Sequence, residues 1–399
     1  MPLHHSPIYQ SLLHDLLGLK SNHVEITSAD DGKKRVFLDH ESDDFWRQNA
    51  QQPFPKVHEY HTTVLSWYKK RKDEIQNKGG GAPSTSPSND YDADFEEKKE
   101  SESEALKSAI RSMPQLLRKK EEIDRHQQLM SSISDVLSER SISEYFHLEE
   151  ALMHSKVLNS AQSRSLMDQL SPSTMGTVED KLRLFLIYYL CHHDVTRSTL
   201  NQLLSALLSN DGVEQYALPQ HEQTKHKLKA LQYVVEHKKL LNLGDSLKDA
   251  DEEKVDAAAA STSWGGLFES GKTLLSKVKG MLPTSGNCTV TRIAKLLMNT
   301  DVLSSSVNLL SQSQSNPHLK DINKNYVTFD PLRMNDAHNL DKLNFQQYER
   351  ALVFVVGGGC YSEYSNLMEF ARSKHKDIIY GCTDLVTPND FLHELSNLA

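Results

Sequence analysis

Apolar residues recur at helical spacing near the start of the chain, where Ile8, Leu12, Leu13, Leu16, Leu17 and Leu19 follow Ser6-Pro7 and Gly18 lies near the end of the run. The pattern predicts a short buried helix over 8–19, capped by Ser6-Pro7. Two β-like runs follow, His23-Val24-Glu25-Ile26 and Arg35-Val36-Phe37-Leu38 around Asp30-Asp31-Gly32, and they predict a hairpin at the rim of a sheet. From Phe45 to Asn77 and from Ser103 to Arg140 the period becomes helical again. Between these arms lies a Gly-, Pro- and Ser-rich stretch from Lys78 to Ser88, and then Asp90 to Glu104 with eight carboxylates. The pattern predicts a helical hairpin whose tip is a loose acidic insert over 78–104.

In the second arm Leu116, Ile123, Met130 and Leu137 recur every seven residues, with Ile133 between them. Such a stripe forms core, and on a projecting hairpin it can instead be offered to a partner helix. Pro114 lies inside the same arm. An internal proline removes one backbone donor and costs about 3 kcal/mol in an uninterrupted helix. Two readings stand: a helix that bends at Pro114, and a helix that begins there after a separate turn.

Residues 141–242 continue as helices, with Thr177 and Asp180 forming a start of capping-box type for the apolar run Leu184 to Cys191. Gly244 to Ser263 is a polar, Ala-rich linker, and 264–282 interleaves Trp264, Leu267, Phe268 and Leu274 with Lys272, Lys277 and Lys279. That basic amphipathic stretch either docks on the body or touches an acidic surface. Near the C-terminus Ala351 to Val356 reads as a continuous buried strand, Gly357-Gly358-Gly359 as a turn, and Tyr361 to Arg372 as a helix. A second strand over Asp377 to Gly381 and a helix opened by Thr387-Pro388 complete a β-α-β-α unit. Two strands are too few for a sheet, so residues 1–42 are expected to join them.

The chain has 399 residues, a net charge of −9 and 38% hydrophobic residues. The acidic balance argues against a nucleic-acid-coating protein. Cys191, Cys288, Cys360 and Cys382 are scattered with no zinc spacing and no C-x-x-C pair, which fits a reducing, cytosolic compartment. The N-terminus lacks the features of a signal peptide, and the apolar run at 184–191 is far shorter than the roughly 20 residues that span a bilayer. Gly266 to Thr273 matches the phosphate-loop pattern, but Asp256 to Ser263 before it is no buried strand, so the nucleotide-binding enzyme remains the rival reading. His58-Glu59-Tyr60-His61 and His221 to His226 both miss the i, i+4 spacing of a zinc hydrolase. Neither a metal nor a cofactor is expected.

Several runs together carry a resemblance: Pro2-Leu3-His4-His5, Tyr9 to Leu16, Asp44-Phe45-Trp46, Met113 to Leu117, Glu179 to Tyr189, Val290 to Ile293, and Phe354 to Gly359 with Tyr380-Gly381-Cys382. In content and order the chain resembles the SM (Sec/Munc) family of membrane-fusion regulators, and most closely its Sly branch of ER-Golgi transport. The resemblance implies a mainly α fold with a small α/β part. A large helical domain with a projecting hairpin is then inserted in an incomplete parallel β-α-β sheet domain. The expected parts are 1–42 with 320–399, then 43–175 carrying the hairpin, then 176–319. The family's first domain, which holds the N-terminal peptide and helical head of a syntaxin-type SNARE, is expected to be missing.

The resemblance also implies a non-enzymatic chaperone that holds SNARE helices in register on the hairpin. Its expected partners are R-SNARE and Qa-SNARE (syntaxin-type) helices, the assembled SNARE complex and tethering factors, with no nucleic acid. The expected protein is a cytoplasmic monomer, peripheral at ER and Golgi membranes through SNAREs. The family's hinge proline falls on Pro114, so the resemblance favours a bend that can straighten. The implied binding residues are Pro114, Leu116, Leu117, Glu121, Ile123, Asp124, Gln127, Gln128 and Met130. The acidic insert is expected to shield the arm and move aside.

Overall fold

The computed structural model describes residues 3–28, 32–79, 94–155, 158–171, 173–192, 195–208, 229–238, 281, 288–298 and 348–398. Several expectations therefore fall outside the described residues: the middle of the acidic insert, His221 to His226, the linker 244–263, the phosphate-loop pattern at 266–273, and the basic stretch 264–282 apart from Met281. The chain divides into two units, one made of Met1–Ser6 with Leu137–Ala399 and the other of Pro7–Val136.

The unit of Pro7–Val136 contains helix α1 (Tyr9–Leu17), strands β1 (His23–Ser28) and β2 (Gly32–Phe37), helices α2 (Asp44–Asn49) and α3 (Phe54–Gly79), and most of α4 (Asp94–Glu139). The N-cap of α1 is Ile8, which makes no side-chain cap, so the expected Ser6-Pro7 cap is not formed. At the other end Gly18 takes a left-handed φ of 65° and donates its N–H to the Leu13 carbonyl. The strands pair antiparallel with Val24 opposite Val36, and the alternation buries Val24, Ile26 and Val36 on one side. Asp43 caps α2 by accepting the Trp46 amide at 2.8 Å.

Helix α4 is unbroken through Pro114. The reading in which the helix begins at Pro114 is thereby corrected: the proline removes only one backbone donor, and turns on either side keep their own. Asp94 to Glu104, expected as part of a loose insert, is also helical.

The other unit contains α5 (Ile142–His154), α6 (Ser160–Leu170), α7 (Val178–Cys191), α8 (Arg197–Leu208) and a helix α9 over 229–237. It continues with α10 (Thr289–Met298), β3 (Arg350–Gly359), α11 (Tyr361–Lys374), β4 (Asp377–Leu385) and α12 (Pro388–Asn397). From Asp180 to Tyr188 every residue of α7 is buried, which makes it the central helix of a core that includes Tyr145, Leu152, Leu166, Leu203 and Leu392. Its start is the capping box expected from Thr177 and Asp180, and Thr387 with Asp390 opens α12 in the same way, behind Pro388.

Strands β3 and β4 run parallel around α11, with Leu352 opposite Ile379, so the β-α-β-α order read from the sequence is formed. Three expectations about this part are corrected. The glycines are not a turn: Gly357–Gly359 end β3, with a register shift after Val355 and a φ of 115° at Gly357. The strand is not buried on both sides. Ala351 and Val353 pack against α10 and α11, while Leu352, Phe354, Val356 and Ile379 are exposed because no described element covers that face. Finally, no strand within the described residues of 1–42 pairs with β3 or β4. Among the described residues β1 pairs with β2 and β3 with β4 in two separate sheets.

Among the described residues no helix is long and apolar enough to cross a membrane.

Candidate functional site

The hairpin of α3 and α4 is held by contacts that also fix which side of α4 faces outward. Tyr68 and Ile75 of α3 pack on Leu116, and His61 Nε2 lies 3.3 Å from the Ile123 carbonyl, as antiparallel arms require. At the α2 end, His126 Nε2 lies 3.0 Å from Asp43 Oδ2 and its Nδ1 3.1 Å from the Tyr9 hydroxyl, while the His126 ring stacks on Phe45 at 4.2 Å. Arg125 Nη1 donates to Asp43 Oδ2 at 2.8 Å, and the Glu122 carboxylate accepts the Phe45 amide. Burial pushes the Asp43 carboxyl up, but the hydrogen bond and charge of His126, the Trp46 amide and Arg125 outweigh it and hold it down to about 2. Burial raises the Tyr9 phenol well above its usual range, with the Asp43 charge adding to it, so the phenol keeps its proton.

This clamp divides the nine predicted site residues into two sets. Leu116, Ile123 and Met130 are buried at 7%, 1% and 2% exposure, and with Ile133 and Leu137 they form core. The stripe takes the core role, the first of the two readings its spacing allowed: a seven-residue apolar repeat finds burial inside its own fold. Pro114, Leu117, Glu121, Asp124, Gln127 and Gln128 are exposed. Gln128 accepts from Lys34 Nζ at 3.1 Å, and Asp124 lies 3.6 Å from Lys120 in an exposed pair of little energetic weight.

At 100° per residue, Met113, Leu117, Glu121, Asp124 and Gln128 fall within an arc of about 80° on the side of α4 opposite the buried stripe. All five are exposed, Met113 at 46% and Leu117 at 54%. The arrangement is an apolar step beside the proline followed by two carboxylates and an amide. It can dock a helix carrying apolar residues and cations, and it has no nucleophile and base in contact with each other. Sequence reasoning used Met113 only in the run that carries the resemblance, not as a site residue, and did not single out Trp67, which is 53% exposed on α3. For Trp67 a signal was present. The buried positions of α3 run Phe54, Val57, His61, Val64 and Ile75 with Tyr68 beside them, and a large aromatic next to that stripe has no core to enter.

A family model described as the Sec1 family matches residues 1–394. "Protein sly1" of Schizosaccharomyces pombe is 30% identical over 412 residues, covering 100% of this chain and 59% of that protein. "Protein sly1 homolog" of Drosophila melanogaster is 30% identical over 409 residues, covering 100% of this chain and 58% of that one. Among solved structures, the crystal structure of Sly1p in complex with an N-terminal peptide of Sed5p superposes with a TM-score of 0.67 at 25% identity, over 99% of this chain and 56% of that chain. The chain thus spans less than two thirds of the length of these relatives.

Proposed function

The chain belongs to the Sec1 family, and from that footing we propose that it is a SNARE-binding regulator of vesicle docking and membrane fusion in ER-Golgi transport. The observation that carries the proposal is the exposed face of α4 from Met113 through Leu117, Glu121 and Asp124 to Gln128, rigidly backed by the clamp at Asp43 and His126. Such a face accepts a helix laid along it, with apolar anchors near Leu117 and cations near Glu121 and Asp124. Pro114 and Gln127 flank the same track. The buried stripe of Leu116, Ile123 and Met130 stiffens the arm from behind.

The chemistry is positional. Two helices held in register on one arm meet at high effective concentration, which lowers the entropic cost of their first contacts. No bond is made or broken in this account, and the protein acts as a regulator rather than an enzyme. The partners are R-SNARE and syntaxin-type helices, with membrane association peripheral and through them. The relative Sly1p was crystallised with an N-terminal peptide of Sed5p, so a relative engages a peptide partner, although the resemblance puts such a peptide on the family's first domain and not on this face.

The test is direct binding of recombinant R-SNARE and syntaxin-type helical segments to the full chain, compared with Leu117→Glu. The proposal expects binding to the wild type and at least about a tenfold loss in the variant, the size of one lost apolar anchor meeting a charge. Lys272→Ala should leave binding unchanged. An intact Leu117→Glu complex would remove this face from the account.

A further inference from the structure

Away from the hairpin, the segment of residues 3–6 is fastened into its unit by an ionic cluster that the binding reading does not use. The Leu3 side chain is buried in the core around α7, and its carbonyl accepts from Arg183 Nε at 2.7 Å. The His5 amide donates to Glu149 Oε2 at 2.8 Å. His5 Nδ1 lies 2.7 Å from Glu149 Oε1, and its Nε2 lies 3.3 Å from Asp180 Oδ1. His4 Nδ1 lies 2.9 Å from Glu149 Oε2, and its Nε2 lies 2.9 Å from Glu150 Oε1. Arg140, three residues past the point where the chain re-enters this unit, makes a two-point ion pair with the same Asp180.

Each of these two imidazoles therefore bridges two carboxylates, one through each ring nitrogen. A neutral imidazole has one N–H and one lone pair, so it can serve only one carboxylate and turns a lone pair on the other. An imidazolium serves both. The arrangement at His126 differs: there one nitrogen faces a carboxylate, Asp43, and the other faces a hydroxyl, that of Tyr9, so the ring does not bridge two carboxylates.

We propose that His4 and His5 form a proton-dependent clasp, which fastens residues 3–6 to α5 and α7 while both rings carry two protons and loosens as those protons leave. The titratable and charged groups that face the rings are Glu149, Glu150 and Tyr145 on α5, Asp180 and Arg183 on α7, and Arg140 just before α5. Burial alone lowers both imidazoles. For His4 the hydrogen bonds and charges of Glu149 and Glu150 outweigh it, and for His5 those of Glu149 and Asp180 outweigh burial and Arg183 together, so both are raised above the usual value. Burial pushes Glu149 up, but the two histidines outweigh it and hold that carboxyl down to about 2. The clasp is therefore complete below the ordinary histidine value of about 6.5 and is lost as pH rises through the raised values.

The test is a titration of the full chain by NMR, reading the ring nitrogens and Cε1 protons of His4 and His5, together with hydrogen exchange of the His5 amide. His4→Gln assigns the signals and leaves the fully buried His5 in place, so the outcome does not depend on the folding of a His5 variant. Both rings should show the imidazolium nitrogen pattern at neutral pH and titrate above about 6.5. Protection of the His5 amide should fall by up to about tenfold per pH unit for each proton lost, and less steeply in His4→Gln. A neutral-imidazole pattern at neutral pH, titration at or below the ordinary value, or protection that does not vary with pH would overturn the proposal.

Discussion

His126 of α4 and Asp43 at the start of α2 form a buried contact of 3.0 Å that sets which side of the long arm faces solvent. Because Asp43 also caps α2 and accepts from Arg125, one carboxylate ties helix capping to the rotation of α4. The ordinary carboxyl value is 3.8 and the folded one is about 2. A depressed carboxyl contributes stability that is present above its unfolded value and lost as pH falls through the folded one. The shift corresponds to about 2 kcal/mol. Chemical denaturation followed by circular dichroism should show stability falling between pH 4 and 2, in step with Glu149, which is held down to about 2 as well. Asp43→Asn should flatten part of that fall, and His126→Ala should cost about 2 to 4 kcal/mol at neutral pH.

Leu116 and Leu117 are neighbours in sequence with opposite surroundings, 7% and 54% exposed. Leu116→Ala removes packing on Tyr68 and Ile75 and should cost about 2 kcal/mol of stability. Leu117→Ala should change stability by less than about 0.5 kcal/mol while weakening SNARE-helix binding. Denaturation and a binding titration on the same two variants separate the roles. Equal effects of both variants on binding per unit of stability lost would merge them.

Pro114 sits in an unbroken α4. Pro114→Ala restores a backbone donor and removes a ring clash, worth up to about 3 kcal/mol to the helix. Exchange protection of the turns on both sides should rise, and R-SNARE binding should strengthen because the extended arm is favoured. Weaker binding in a pull-down would show that the bend, and not the straight arm, is the competent form.

Gly359 shows how closely β3 and β4 approach. An added Cβ there would lie 2.5 Å from the Tyr380 hydroxyl and 2.6 Å from Cys382 Cβ. The Tyr380 hydroxyl is itself engaged, donating to Glu363 Oε2 at 2.8 Å. Gly359→Ala should therefore destabilise the chain by about 1 to 3 kcal/mol, readable as a lowered thermal midpoint, with hairpin binding unaffected at temperatures where the chain is folded.

What was legible in the sequence is what local chemistry decides. Thr177 with Asp180 and Thr387 with Asp390 form the capping boxes that their spacing announces, and the period of Leu116, Ile123, Met130 and Leu137 marks a helix face. The period does not say whether that face meets solvent. The answer depends on α3 and on contacts such as Phe45 with His126, some 80 positions apart in the chain, and these commit the stripe to the interior. Burial thus separates the nine residues read from the sequence, with Leu116, Ile123 and Met130 inside and Leu117 outside, a division that spacing alone does not give. The glycines after Val356 read as a turn because glycine usually marks one, yet here Gly359 permits close strand packing. The family resemblance was carried by short runs in order, which survive even where element boundaries are misread.

The central claim is that the outward face of α4 receives a SNARE helix. The most direct measurement places a photo-crosslinking residue in the full chain at Leu117, Glu121 or Asp124, and at the exposed Glu369 of α11 as a control, in the presence of an R-SNARE helical segment. The account predicts crosslinks from the three α4 positions and none from Glu369. Crosslinks confined to other elements, or absent from α4 while the complex forms, would contradict it.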